Sequence, residues 1–138
     1  MENAKIKYIG FKINLFDMNQ ENIFNPLYYS EALDLLGYSK NLLLSSLEKM
    51  MLIRSVERKI AYGRKSGLIG GPVHLGVGQE AIGVGVSSEL NFNDFVFGAH
   101  RSHSHILALG ADVRKLFSEV LGKDTGHSRG MGGSMHLW

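Results

Sequence analysis

The chain has 138 residues and not one cysteine. That absence excludes disulfides, thiolate zinc sites and thiol nucleophiles together, and it fits a reducing compartment. A long hydrophobic run is missing too. No stretch approaches the roughly 20 apolar residues that a membrane span requires. At the N-terminus, Lys5, Lys7 and Lys12 interrupt the apolar residues that a secretory signal would keep together. An excess of one charge is also lacking: 15 basic against 13 acidic side chains leave a formal +2. So small an excess does not suggest nucleic acid or an anionic membrane as a partner. Neither an internal repeat nor a low-complexity tract is present. The expectation is a cytoplasmic protein without nucleic-acid or membrane partners.

What is present suits one packed domain. Hydrophobic residues make up 44% and charged residues 20%, enough apolar material to bury a core. In the first part of the chain Ile9, Phe11, Ile13 and Leu15 alternate, as a strand or an extended arm would. Pro26 opens a short helical stretch over Leu27 to Leu36, and Gly37 closes it. Ser39 is placed to cap the next helix. There Leu43, Leu47, Met50, Met51, Ile53, Val56 and Ile60 recur at three- and four-residue steps, which predicts an amphipathic helix to about Lys65. Residues 1–40 read as an extension with a short helix, and 41–138 as the main domain.

Composition then changes. All but two of the 17 glycines and all six histidines lie at or after Gly63, so the chemistry is expected beyond that point. A loop, GLIGGPVHLGVG, leads into a helix over Gln79 to Leu90. Ala81, Gly83 and Gly85 in it predict close approach of another backbone, because each glycine costs roughly 1 kcal/mol of helix propensity. NFND reads as a turn and Phe95 to Ala99 as a buried strand. His103 to Leu109 reads as a helix stopped by Gly110. Asp112 caps another, Val113 to Leu121, stopped by Gly122. The tail, KDTGHSRGMGGSMHLW, reads as a glycine-shaped loop whose backbone N–H groups are suited to cradling a ligand, unless it is simply flexible.

Three stretches invite a chemical reading. GVGQEA, residues 76–81, matches a dinucleotide-binding fingerprint, but GGPVHL before it makes no strand and Asp94 falls at the wrong end of the next one. A glycine-rich helix entry for close packing explains it better. HRSHSH, residues 100–105, suggests zinc at first. Yet His103 and His105 point to different helix faces, and no thiolate or neighbouring acid completes a set, so no metal site is expected. The other reading is anion binding. Arg101 is predicted where a strand ends and a helix begins, a place that favours negative charge. Pairing of Arg101 with a structural acid remains equally open. His74, after GGPV, is either a solvent-facing loop residue or part of the same site.

GPVHLGVGQEAIGVGV, DFVFGAHRSHSHILALGADVRKLFSEVLGK and TGHSRGMGGSMH occur in one order and at intervals that resemble the alpha subunit of thiamine-diphosphate-dependent 2-oxo acid dehydrogenases of the pyruvate, acetoin and branched-chain type. The resemblance covers about residues 43–138. It implies an α/β fold with a parallel sheet, incomplete in this chain, and an α2β2 assembly with thiamine diphosphate between alpha and beta subunits. Oxidative decarboxylation of a 2-oxo acid would then pass an acyl unit to a lipoyl-bearing acyltransferase. By resemblance, His100 and Arg101 contact the diphosphate, His74 faces the active-site channel, and His103 stands near its mouth as a proton shuttle. The family commonly has glycine where Ser102 and Ser104 stand.

The resemblance further implies magnesium, whose ligands belong to a later GDG…N element not found here. The chain is therefore expected to be the opening part of an alpha subunit, inactive on its own. Two rivals stand beside this expectation. One is a non-catalytic fragment that docks on a beta-type subunit, and the other a thiamine enzyme of the same fold with another acceptor.

Overall fold

In the computed structural model, residues 37–137 are described. The chain divides into two compact units, Met1–Lys40 and Asn41–Trp138, and nearly all the described residues belong to the second. The arm expected around residues 9–15 and the helix expected over 27–36 lie outside the described residues. Among the described residues four helices occur in order: α1 Lys40–Lys65, α2 Glu80–Ser88, α3 His103–Ala108 and α4 Val113–Val120. No helix among the described residues is long and apolar enough to cross a membrane.

The 26-residue α1 buries only its second half. Ile53, Val56, Glu57, Ile60 and Gly63 are inside, whereas Leu47 and Met51 of the expected stripe are exposed. Ile53, Val56 and Ile60 form the core with Ile69, Val84, Leu107, Ala108, Leu116 and Val120. Residues from all four helices are thus removed from water together, which is what joins these elements. The small residues of α2 serve the expected purpose. A Cβ on Gly83 would stand 3.2 Å from the Ser104 carbonyl oxygen, so glycine there lets α2 and α3 pack backbone to backbone.

Helix ends obey local chemistry closely. Asp112 accepts hydrogen bonds from the N–H groups of Arg114 (2.6 Å) and Lys115 (3.2 Å), capping α4 as its side chain predicts. Gly110 and Gly122 come after the ends of α3 and α4 with φ of 93° and 67°, the left-handed turn that glycine adopts without a Cβ clash.

Phe95 to Ala99 departs from expectation. The segment carries no strand pairing, and Phe95 and Phe97 are 88% and 92% exposed. A buried strand needs a neighbour to accept and donate its ladder hydrogen bonds, and no strand occurs among the described residues. Its apolar run therefore forms no ladder, and Val96 and Phe97 line a hollow of about 190 Å³ with Ile82, Val86 and Leu109. The described part is helical, and the parallel sheet of the expected α/β fold is not in it.

Two carboxylates fix the loops between the helices. Glu80, at the start of α2, takes both Nε (2.5 Å) and Nη2 (2.7 Å) of Arg54 from α1, and the Gly78 N–H besides. The Arg54 hydrogen bonds hold its carboxyl down at about 2, against an ordinary 4.5. Glu119, fully buried in α4, accepts four backbone N–H groups of the glycine-rich tail. Ser128 and Gly130 donate to Oε2 at 2.7 and 2.9 Å, and Gly132 and Gly133 to Oε1 at 2.7 and 3.2 Å. Burial pushes this carboxyl up, but the four donors outweigh burial and the net direction is down. Arg129 at φ 55° and Gly130 at φ 75° supply the left-handed turns that aim successive N–H groups inward.

Both carboxyls bind a proton less readily folded than unfolded, so both stabilise the fold above the ordinary carboxylate range and lose that contribution as pH falls. Glu80→Gln is expected to lower the urea midpoint near neutral pH. Its deficit relative to the parent should shrink as pH drops from 4.5 towards about 2, where Glu80 itself becomes protonated. A deficit that stays constant through that window would refute the role given to the pair. For Glu119 the replacement matters more than the charge. Glu119→Gln puts an amide NH2 where an oxygen accepts two N–H groups, so it is expected to be nearly as damaging as Glu119→Ala. Each should cost about 3–5 kcal/mol in denaturant unfolding through buried unpaired donors.

Candidate functional site

The hexapeptide HRSHSH is divided by the fold. His100 and Arg101 lie exposed in the turn before α3, Ser102 to Ser104 are buried, and His105 is half-buried. The outer pair meets the loop that precedes α2. The rings of His74 and His100 touch edge to face, with centroids 4.6 Å apart and planes at 68°. Residues 26 apart in sequence thus converge on one surface, with Arg101 next in the chain.

Arg101 makes no ion pair among the described residues, where the salt bridges are Arg54–Glu80 and Glu57–His103. The alternative of a structural acid for Arg101 therefore finds no support there. The arrangement expected around it differs in two respects. The strand before it is absent, and α3 has only six residues, with no side-chain cap hydrogen bond from Ser102. The dipole of so short a helix is small, so any attraction for an anion rests on the exposed Arg101 guanidinium and the adjoining His100 imidazole. An exposed guanidinium fork next in the chain to an exposed imidazole suits an anion with several oxygens, such as a phosphate ester.

His103 takes a different place from the one expected of a residue at a channel mouth. It is fully buried. Its Nδ1 lies 3.2 Å from Glu57 Oε1, and its Nε2 lies 2.9 Å from both the carbonyl oxygen and Oγ of Ser134. A ring held at both nitrogens in the interior is tied to three segments of chain and has no path to solvent in this structure. Glu57, also fully buried, was not singled out by the sequence reading. The signal was there: Ile53, Val56, Glu57 and Ile60 share a helical face, so a carboxylate interrupts the buried stripe. Glu119 has the same signature beside Leu116 and Val120 in α4.

The tail also differs from the ligand cradle envisaged for it. Its inward N–H groups are taken by the Glu119 carboxylate, an anion of the chain itself. His127 is engaged locally, its Nε2 3.3 Å from the Asp112 carbonyl oxygen. Among the described residues, no three histidine, aspartate or glutamate side chains gather as a metal site would require. His105 faces the apolar hollow beside α2 and is separate from the His74–His100 contact.

Known proteins share this stretch of chain. A model of the dehydrogenase E1 component family matches residues 48–138. The alpha subunit of acetoin:2,6-dichlorophenolindophenol oxidoreductase from Bacillus subtilis is 41% identical over 90 residues, 65% of this chain and 27% of that protein. The alpha subunit of the pyruvate dehydrogenase E1 component is 41% identical in Rhizobium meliloti over 101 residues, 73% of this chain and 29% of that one. The corresponding subunit of Porphyra purpurea is 40% identical over 103 residues, 75% of this chain and 30% of that one. The chain thus spans under a third of the length of these relatives. His74, His100 and Arg101 all fall within the matched residues, as does the buried Glu57–His103–Ser134 set, and the chain belongs to the dehydrogenase E1 component family.

Proposed function

We propose that this chain forms part of the alpha subunit of a thiamine-diphosphate-dependent 2-oxo acid dehydrogenase, and that His74, His100 and Arg101 mark its cofactor site. The observation that carries the reading is the convergence of His74 and His100, with the next residue in the chain, Arg101, exposed and without an ion pair among the described residues. This donor set fits a diphosphate. Arg101 offers a planar fork to two oxygens, and His100 adds a ring N–H donor from the same turn. When bound, thiamine diphosphate supplies the electron sink for decarboxylation.

The chain's own part is positioning and charge. Arg101 and His100 hold the diphosphate end. His74, half-buried against His100, stands where an imidazole accepts or returns a proton at a ring nitrogen. His103 serves this site from beneath, since its ring is enclosed. Magnesium would share the diphosphate charge through ligands outside the described residues. A parallel sheet, a beta subunit and a lipoyl-bearing acyltransferase complete the proposal, with a cytoplasmic location. A different acceptor is the second reading. It is favoured by equal identity to an acetoin oxidoreductase subunit and a pyruvate dehydrogenase subunit, which leaves the substrate class and acceptor as variables within one site.

Calorimetry tests the assignment. The isolated chain is expected to bind thiamine diphosphate weakly, because an exposed arginine is screened by water and salt. Extended to the length of its relatives and joined to a beta subunit, it should bind tightly with magnesium. Arg101→Ala should then weaken binding about tenfold or more, the loss of one or two charge-assisted bonds. His74→Ala should lower the acyl-transfer rate while leaving cofactor affinity within about twofold. Unchanged affinity in Arg101→Ala would remove the diphosphate role.

A further inference from the structure

Beneath the exposed histidines lies a polar chain that the cofactor assignment leaves unexplained. Glu57 of α1, His103 of α3 and Ser134 of the tail are all buried, and they connect in series. Hydrogen-bond geometry restricts where the protons lie. The Ser134 carbonyl oxygen has only lone pairs to present, and it stands 2.9 Å from His103 Nε2. A bare Nε2 there would set two lone pairs against each other, so Nε2 carries a hydrogen and donates it. At the other end, Nδ1 and Glu57 Oε1 stand 3.2 Å apart. Two protons between them would collide and none would leave two acceptors facing, so one proton lies between them. Whichever atom holds that proton, glutamate and histidine together have no net charge. Neutrality suits a site without water contact, where a lone ion would be costly.

The position of the pair gives this neutrality a use. Gly76 passes directly over it: a Cβ there would stand 3.4 Å from Glu57 Oε1 and 3.8 Å from Ser104 Oγ. Gly76 lies two residues after His74, and His103 two residues after Arg101. The tail joins through Ser134, which directly follows the N–H groups gathered by Glu119. The three segments that frame the site thus rest on one buried pair.

The geometry points to Glu57 and His103 as a positioning pair that shares a single proton and, by donating from Nε2 to Ser134, sets the seats of the His74 loop and the glycine-rich tail. Only the identity of what is positioned rests on the cofactor reading. The pair itself is testable without cofactor.

The test uses the 138-residue chain with nitrogen-15-labelled histidine. The His103 signal, assigned by its loss in His103→Asn, should show a proton on Nε2. A bare Nε2, accepting from the Ser134 hydroxyl instead, would overturn the proposal. Two variants add the positioning readout. Glu57→Gln keeps a partner for Nδ1, its amide donating to a bare Nδ1 or accepting from a protonated one, so the His74 signals and its ring contact with His100 should match the parent. Glu57→Leu leaves Nδ1 without a partner. With thermal unfolding still cooperative, it should displace the His74 signals and speed amide exchange at Gly132 and Gly133 by about tenfold or more. A folded Glu57→Leu with parental His74 signals and exchange rates, or a Glu57→Gln with displaced ones, would refute the positioning role. Where Glu57→Leu does not fold, the parental spectrum and Glu57→Gln decide between the same outcomes. Loss of cofactor affinity plays no part in these readouts, so a failed cofactor assignment and a failed positioning pair remain distinguishable.

Discussion

The Glu119 carboxylate accepts four backbone N–H groups at once, and the tail from Ser128 to Gly133 has its shape because of that. A loop so rich in glycine has large conformational entropy to lose and little apolar surface to bury. Hydrogen bonds to a charged acceptor contribute about 1.5–3 kcal/mol each, against about 1 for neutral pairs. Four of them on one rigidly held side chain replace the ladder that a sheet would provide. A Cβ on Gly126 would stand 2.6 Å from the Glu119 Cα, so the loop also lies against the α4 backbone. Order in the tail is therefore inherited from α4, which Leu116 and Val120 anchor in the core.

From Ser134 the same logic continues inward. The tail ends its turns where Ser134 meets His103, and His103 passes the connection to Glu57 on α1. Arg54, three residues before Glu57 on the same helix, holds Glu80 and with it the start of α2. The second half of α1 is thus more than an apolar ridge. It presents one carboxylate and one guanidinium to the two loops that carry the histidines, while its apolar side chains close the core below. Electrostatics and burial act on the same turns of helix, so loss of either loosens both.

Much of the local structure was readable from residue types because its causes are local. Asp112 caps α4 through its own side chain, and Gly110 and Gly122 stop helices through their own φ angles. The close helix contact at Gly83 was readable for the same reason, since only a neighbouring backbone makes glycine worth its cost in a helix. The Phe95 to Ala99 segment was misread because strand identity depends on a partner, which residue types alone do not supply. For the site, resemblance drew attention to His74, His100 and Arg101, and the fold brings the two histidines together. The inward turn of His103 was not legible. A six-residue helix with alternating histidines gives no sign of which ring finds a buried carboxylate 46 positions earlier.

The buried acids also explain how the exposed face keeps its character. Acidic and basic side chains nearly balance over the whole chain, so a lone surface arginine would ordinarily find a carboxylate nearby. Here the acids packed against the framing loops are already committed. Glu80 is held by Arg54, Glu57 is bonded to His103 Nδ1, and Glu119 is wrapped in backbone N–H groups. None turns outward to neutralise Arg101. Internal bonding strong enough to hold three carboxylates inside thus has a second effect at the rim. It leaves the Arg101 guanidinium without an ion pair among the described residues, next in the chain to an exposed His100 whose ring meets His74.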